Sequence, residues 1–223
     1  AEVKRYELAV GTELATENSI VLDYLIDQLL LSQAAAAAFT VDEAVLGEHL
    51  EALNLSEEAL NAWKAAYQYS ETEFEQALST AIAAAWMRDQ ILAEVPTTAE
   101  QVHARQILVY TLEEAEKVYA DLESGTSFET LASQYAPITL GDLGWFPRDY
   151  LTVPELDDII FNLAPNEYST IIETRLGYHI VQVLEHDQKA KLSPAAQRLI
   201  ESQTVTAWLN QQRAISEITI FEQ

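Results

Sequence analysis

The sequence predicts an α+β protein in which a small mixed domain interrupts a mainly helical one built from both chain ends. Three observations carry this. Residues 19–94 and 193–213 repeat apolar side chains at helical spacing behind helix-start signals. Between them, residues 102–185 hold short β-rich segments punctuated by glycine and proline. Finally, 49% of the 223 residues are hydrophobic, with only 6 Gly and 6 Pro, which supports a sizeable core and argues against disorder.

In chain order, residues 3–10 (VKRYELAV) suit a short strand. A long helix is expected from Ser19 to Phe39, capped by Asn18 or Ser19, with Leu22, Leu25, Ile26, Leu29 and Leu30 as its apolar stripe and the small residues Ala34–Ala38 allowing close packing. A capping box at Thr40–Glu43 opens a helix to about Leu53. Ser56 opens another, holding Leu60, Trp63 and Tyr67. The capping box Ser70–Glu73 opens a third, to about Glu94, with Phe74, Leu78, Ile82, Ala85 and Trp86 on one face.

After Pro96 the pattern changes. Val102–Tyr110 reads as a strand, Thr111–Glu114 as a capping box whose helix stops at Gly125, and Ser127–Tyr135 as a short helix. Gly141–Gly144 reads as a turn-rich link, Pro154–Phe161 as a short helix, and Tyr168–Ile172 and Gly177–Glu185 as strands. Helix returns at Ser193, with Pro194 at its first position, and runs to about Arg213 with Leu199, Val205, Trp208 and Leu209 apolar. Residues 215–221 alternate like a strand. That strand and the one at residues 3–10 have no local partners, so their pairing would close the helical domain around the insert. The expected domains are 1–100 and 188–223, together helical, and 101–187.

The charge balance narrows the function. Twelve basic and 36 acidic residues give a net charge of −24, which repels phosphate backbones and disfavours nucleic acid as a partner. There is no cysteine, so disulfides, thiolate metal sites and cysteine nucleophiles are excluded. No apolar run approaches the roughly 20 residues that span a bilayer. The N-terminus lacks a signal-peptide pattern, which suits a chain that follows a removed signal or anchor as well as one that simply begins in the cytosol; the expectation is a membrane anchor removed or left out of this chain. His49, His103, His179 and His186 show no metal-ligand spacing, and no phosphate loop, Gly-x-Ser-x-Gly elbow or dinucleotide fingerprint occurs. Neither metal nor cofactor is expected.

The order of motifs says more than any one of them. VHARQILV at 102–109, EEAEKVYADLESGTSFETLASQY at 113–135, GDLGWF at 141–146, PELDDIIFNLAPNEYS at 154–169 and ETRLGYHIVQVLE at 173–185 together resemble the parvulin (PpiC-type) peptidyl-prolyl isomerases. The flanks, with LIDQLLLSQAA at 25–35 and the helix starts LSEEAL at 55–60 and ETEFEQAL at 71–78, resemble the chaperone module of SurA/PrsA-type extracytoplasmic foldases. The resemblance implies a small antiparallel sheet with flanking helices, inserted in the helical chaperone domain. It implies cis-trans isomerisation of Xaa-Pro bonds, unfolded or proline-containing client polypeptides as partners, and a location outside the cytoplasmic membrane.

By the same resemblance, His179 and Thr174 belong to a hydrogen-bonded network beneath the substrate amide, and Leu151, Leu156 and Phe161 to the proline pocket. Two departures matter. Gln106 stands where the family has a histidine, and glutamine exchanges hydrogen bonds without titrating. His103, at the wrong strand parity, should point away from Gln106. Residues 136–140 are shorter than the family's loop and lack its acid or thiol; Thr139 offers only a hydroxyl. An alternative therefore stands beside the active isomerase: a binding chaperone with a degenerate parvulin domain.

Overall fold

The computed structural model describes residues 18–220, with side chains from Ile20. The strand expected at 3–10 and the cap expected from Asn18 or Ser19 lie outside those limits. The chain divides into two compact units: the described residues up to Val95 together with those from Glu201, and Pro96–Ile200.

The first unit is helical. Its members are α1 (Asn18–Ala35), α2 (Glu43–Ala52), α3 (Glu57–Ala66), α4 (Glu71–Ala93) and most of α8 (Pro194–Ile215). Ser70 and Glu73 form the expected capping box, and Ser56 caps α3. The α2 start differs from the sequence expectation. Asp42, not Thr40, accepts from Val45 N, because a carboxylate nearer the apolar run satisfies the first-turn donors. Leu31, Ala84 and Ile91 form a core against which Met87, Val205, Trp208 and Leu209 pack. Within α1 the buried residues are Val21, Leu30, Leu31 and Ala35, so the stripe is rotated from the expected one and Leu29 is exposed. The helix is apolar on more than one side, and periodicity alone could not choose the face. Arg213 fastens α8 to α1, its Nη2 2.6 Å from Asp27 Oδ1 and its Nη1 3.1 Å from Asp23 Oδ1. Residues 217–220 have no regular structure, so the expected terminal strand is not found across them.

The second unit is a four-stranded antiparallel sheet in the order β2-β1-β4-β3, with β1 Thr98–Val109, β2 Asp142–Pro147, β3 Ile172–Thr174 and β4 Gly177–Lys191. On one face, Ile107, Val109 and Ile180 pack against α5 (Leu112–Glu123) and α6 (Phe128–Tyr135) through Ala115, Val118, Leu122, Phe128 and Leu131. On the other, Val102, Ala104, Val181, Val183 and Ile172 pack against Phe146, a 3-10 turn at Pro154–Leu156 and α7 (Asp157–Asn162).

Three expectations are corrected here. The glycines at 141–144 do not mark a mere link. They start β2, which joins β1 with a register shift between Ala104 and Arg105 that leaves Leu143 out of the ladder. The segment from Tyr168 is only one bridge wide before β3. Ser169 Oγ takes Val181 N at 3.0 Å, so a side chain replaces part of the ladder. Strand β4 continues beyond Glu185 to Lys191, because β1 begins at Thr98 and supplies partners that far.

Candidate functional site

Antiparallel register builds the site. Gln106 lies opposite Val181, Ile172 opposite His179, and Thr174 opposite Gly177. Gln106 on β1 and Thr174 on β3 are therefore diagonal neighbours of His179 on β4, one on each side and on one face of the sheet. At that separation long side chains touch. They do: His179 Nδ1 lies 2.8 Å from Gln106 Oε1, and His179 Nε2 lies 2.9 Å from Thr174 Oγ1. The three residues predicted from sequence are thus brought together, with His179 only 1% exposed.

The partners fix the polarity. Gln106 Oε1 can only accept, so His179 Nδ1–H donates to it. In the neutral ring Nε2 then accepts from the Thr174 hydroxyl. If the ring is protonated, Nε2–H donates to Thr174 Oγ1, whose hydrogen turns to Gly177 O at 3.2 Å. Both charge states are satisfied, so the network passes a change of polarity across three strands without leaving a buried group unpaired. Burial pushes the His179 imidazole below its ordinary range; the Glu155 carboxylate on the 3-10 turn pulls the other way without reversing it. Glu155 was not singled out in the sequence, because only the packing of that turn brings its charge near the ring.

Leu151, Leu156 and Phe161 join the cluster on this same face, but not alike. Leu156 is 2% and Phe161 6% exposed. Phe161 packs edge-on against Phe146, and the Arg148 guanidinium covers its ring at 4.3 Å. Arg148 also faces Asp157, a buried carboxylate whose pKa is raised by burial, against the lowering effect of its bond from Asp149 N. Leu151 is half-buried and packs on the cluster from outside, as Leu143 and Tyr150 also do. Leu143 was missed in the sequence; the paired glycines around it were the available sign of a bulge, and bulges re-aim a side chain. Arg175 Nη2 donates to Thr152 O at 3.3 Å, tying the β3–β4 turn to the segment that carries Leu151.

Gly141 sets the near wall. Gln106 N donates to Gly141 O at 2.8 Å, and a Cβ at 141 would lie 1.9 Å from Gln106 O. With φ at +73°, only glycine suits that contact. His103 takes no part in the network. Its Nε2 lies 2.9 Å from Asp142 Oδ1 and its ring stacks on Trp145. Thr139 Oγ1 accepts from Gly141 N at 3.2 Å. Among the described residues no group of three or more His, Asp or Glu is placed to hold a metal ion, and no helix is long and apolar enough to cross a membrane.

Comparison with known proteins places the sheet domain in a family. Residues 91–185 match the family model Rotamase, described as the PPIC-type PPIASE domain. These residues are a parvulin-type domain. The chain is similar to Foldase protein PrsA of Halalkalibacterium halodurans, 40% identical over 90 residues, which are 38% of this chain and 27% of that one. It is similar also to Chaperone SurA of Nitrosospira multiformis, 34% identical over 142 residues, 53% of this chain and 32% of that one. The matched stretches thus span a third or less of these relatives' length. The crystal structure of Peptidylprolyl Isomerase (PrsA) from Bacillus cereus shares the fold, with TM-score 0.59 and 18% identity over 98% of this chain and 88% of that one.

Proposed function

We propose that this chain is an extracytoplasmic foldase that speeds cis-trans isomerisation of Xaa-Pro bonds in exported client polypeptides. The observation that carries this reading is the network in which Gln106 and Thr174 hold the buried His179 at the edge of an apolar cluster. An Xaa-Pro bond rotates over about 18–20 kcal/mol because resonance holds the amide planar. Uncatalysed rotation takes tens of seconds and can limit folding. No nucleophile is needed. A site that binds the twisted amide better than the planar one gains about tenfold in rate per 1.4 kcal/mol. In this reading Leu151 and Leu143 receive the proline ring, Leu156 and Phe161 form the floor behind them, and Thr174 and His179 hold the polar surface on which the amide turns. Relatives named foldase and chaperone support the same assignment, and the extracytoplasmic location follows from that family resemblance.

The test is cis-to-trans conversion of a proline tetrapeptide. The full chain should accelerate it at micromolar concentration. Thr174→Ala and His179→Ala should each lower kcat/KM by about ten- to a hundredfold, the loss of one or two network bonds in the transition state. No acceleration by the unaltered protein would remove the isomerase reading.

A second reading, a binding chaperone with a weakly active or inactive parvulin domain, is favoured by two observations. Gln106 cannot titrate, and Tyr24, Leu29, Trp63, Phe74 and Ala81 line an apolar cavity of about 660 Å³ in the helical unit. It predicts that the protein suppresses aggregation of an unfolded client, and that His179→Ala does so equally well. Equal aggregation with and without the protein would refute it.

A further inference from the structure

Hydrogen-bonding capacity is spent unevenly within the three-residue network. His179 is 1% exposed and engaged at both nitrogens, by Gln106 Oε1 at 2.8 Å and Thr174 Oγ1 at 2.9 Å. Thr174 Oγ1 also accepts from Leu176 N at 3.1 Å and lies 3.2 Å from Gly177 O, so it too is filled. Gln106 differs. Its oxygen is committed to His179, but its Nε2, which carries two hydrogens, bonds to nothing among the described residues. No buried side-chain nitrogen or oxygen among those residues lacks a partner, so this nitrogen stands open at the surface of the half-buried Gln106. It is the one side-chain donor the network still has to offer. The register places it. Gln106 lies directly opposite Val181, a member of the apolar cluster, and directly opposite residues share a face of the sheet. Its main-chain N is held by Gly141 O, two residues before Leu143, which packs on the same cluster. The amide thus stands at the border between the polar network and the apolar cluster.

We propose, resting on the isomerase reading above, that Gln106 is a catalytic residue whose Nε2–H donates to the nitrogen of the bound proline as the Xaa-Pro amide twists. A proline whose ring enters the apolar cluster carries its own nitrogen to that border, because the nitrogen is a ring atom. In the planar amide the nitrogen lone pair is shared with the carbonyl and accepts no hydrogen bond. Twisting ends the resonance and returns the pair to the nitrogen. A donor waiting there binds the twisted amide and not the planar one, which is the condition for a gain in rate. A donor aimed at the carbonyl oxygen would do the reverse, since resonance places negative charge on that oxygen in the planar form. The glutamine amide does not titrate, so the donor is present whatever the charge on His179. The departure at position 106 thereby supplies what the rest of the network, already saturated, cannot give.

The experiment measures kcat and KM separately, from cis-trans exchange of Ala-Ala-Pro-Phe followed by NMR, for the full chain, Gln106→Glu and Gln106→Met. Glutamate keeps an acceptor for His179 but has no N–H; methionine, similar in length, has neither. Both variants should lower kcat by about tenfold with KM within about twofold of the unaltered protein, the loss of one bond made only in the transition state. If glutamine serves only to hold His179, Gln106→Glu retains kcat, and the proposal is overturned. A rise in KM at constant kcat, the sign of a contact to the planar substrate, overturns it as well. The unaltered protein gives a readout that needs no variant to fold. The assigned side-chain amide signals of Gln106 should move when Ala-Ala-Pro-Phe is added and stay when Ala-Ala-Ala-Phe is added. If the full chain accelerates no peptide, the isomerase reading fails by itself, and these signals decide the donor. A shift with the proline peptide alone sustains its placement; no shift, or an equal shift with both peptides, overturns it.

Discussion

His179 is the centre of the hydrogen-bonded network in the parvulin-type domain. Its ring is buried, held at both nitrogens, and depressed in pKa by desolvation, with Glu155 opposing. The ordinary histidine pKa is about 6.5. Because the folded value lies lower, the unfolded chain binds more protons in the interval between the two. His179 therefore contributes stability that is complete above about pH 6.5 and is lost as the pH falls through the folded pKa. Urea unfolding at pH 7.5 and at successively lower pH should show this decline, and His179→Gln should flatten it. A decline of the same size in the variant would assign it to other groups. The same geometry explains why glutamine is a workable neighbour at 106. It holds one tautomer of His179 by an acceptor bond and adds no second titration, so activity should follow a single ionisation in this pH range.

At the scale of elements, two glycines three residues apart do different work. Gly141 and Gly144 both have positive φ, +73° and +70°. At Gly141 a Cβ would also meet the Gln106 carbonyl at 1.9 Å, while at Gly144 nothing lies within 4 Å. Gly144→Ala should cost only the left-handed strain of about 1–2 kcal/mol. Gly141→Ala should cost that and more, since β1 and the loop must separate where Gln106 N bonds Gly141 O. Denaturant midpoints will rank them, and only Gly141→Ala should also depress isomerisation strongly. Comparable midpoints would mean that the loop gives way without moving β1. The register shift just beyond, which frees Leu143, belongs to the same design: glycine allows the close approach, and the bulge turns a leucine toward the apolar cluster.

At the scale of the whole molecule, the two ends of the described chain, α1 and α8, meet in the helical unit while the parvulin domain is made of contiguous sequence. Arg213 is the clearest link between those ends, bonded to Asp23 and Asp27 about 190 residues away. Their side chains are partly exposed, so solvent screens the attraction, and Arg213→Met should cost about 1 kcal/mol, a fall of about 2–4 °C in Tm. Thermal melts at low and high salt test this; an unchanged Tm at low salt would show that the cluster of Leu31, Ala84 and Ile91 holds α8 without the ion pairs. Isomerase rates on short peptides should not follow the change, because none of these residues touches the site.

By itself the sequence determined the kind of protein: helices with their caps at Ser56, Ser70, Thr111 and Ser127, and an order of motifs that places a parvulin domain between two helical segments. It also singled out Gln106, Thr174 and His179, through the resemblance of the motifs that hold them to the parvulin pattern. Those are local signals, set by side-chain chemistry within a few residues. Only the tertiary structure decided the rest. Which side of the apolar α1 is buried depends on its partners, and so do the existence of β2 and the full length of β4, since a ladder is defined by the strand across from it. The electrostatic hold of Glu155 on His179 and the Arg148 cover over Phe161 arise between separate segments of the chain. What began as an α+β chain with a sheet domain between helices is, in three dimensions, one histidine held from both sides by its diagonal neighbours, with the apolar floor and rim around it supplied by segments whose sequence alone does not reveal where they lie.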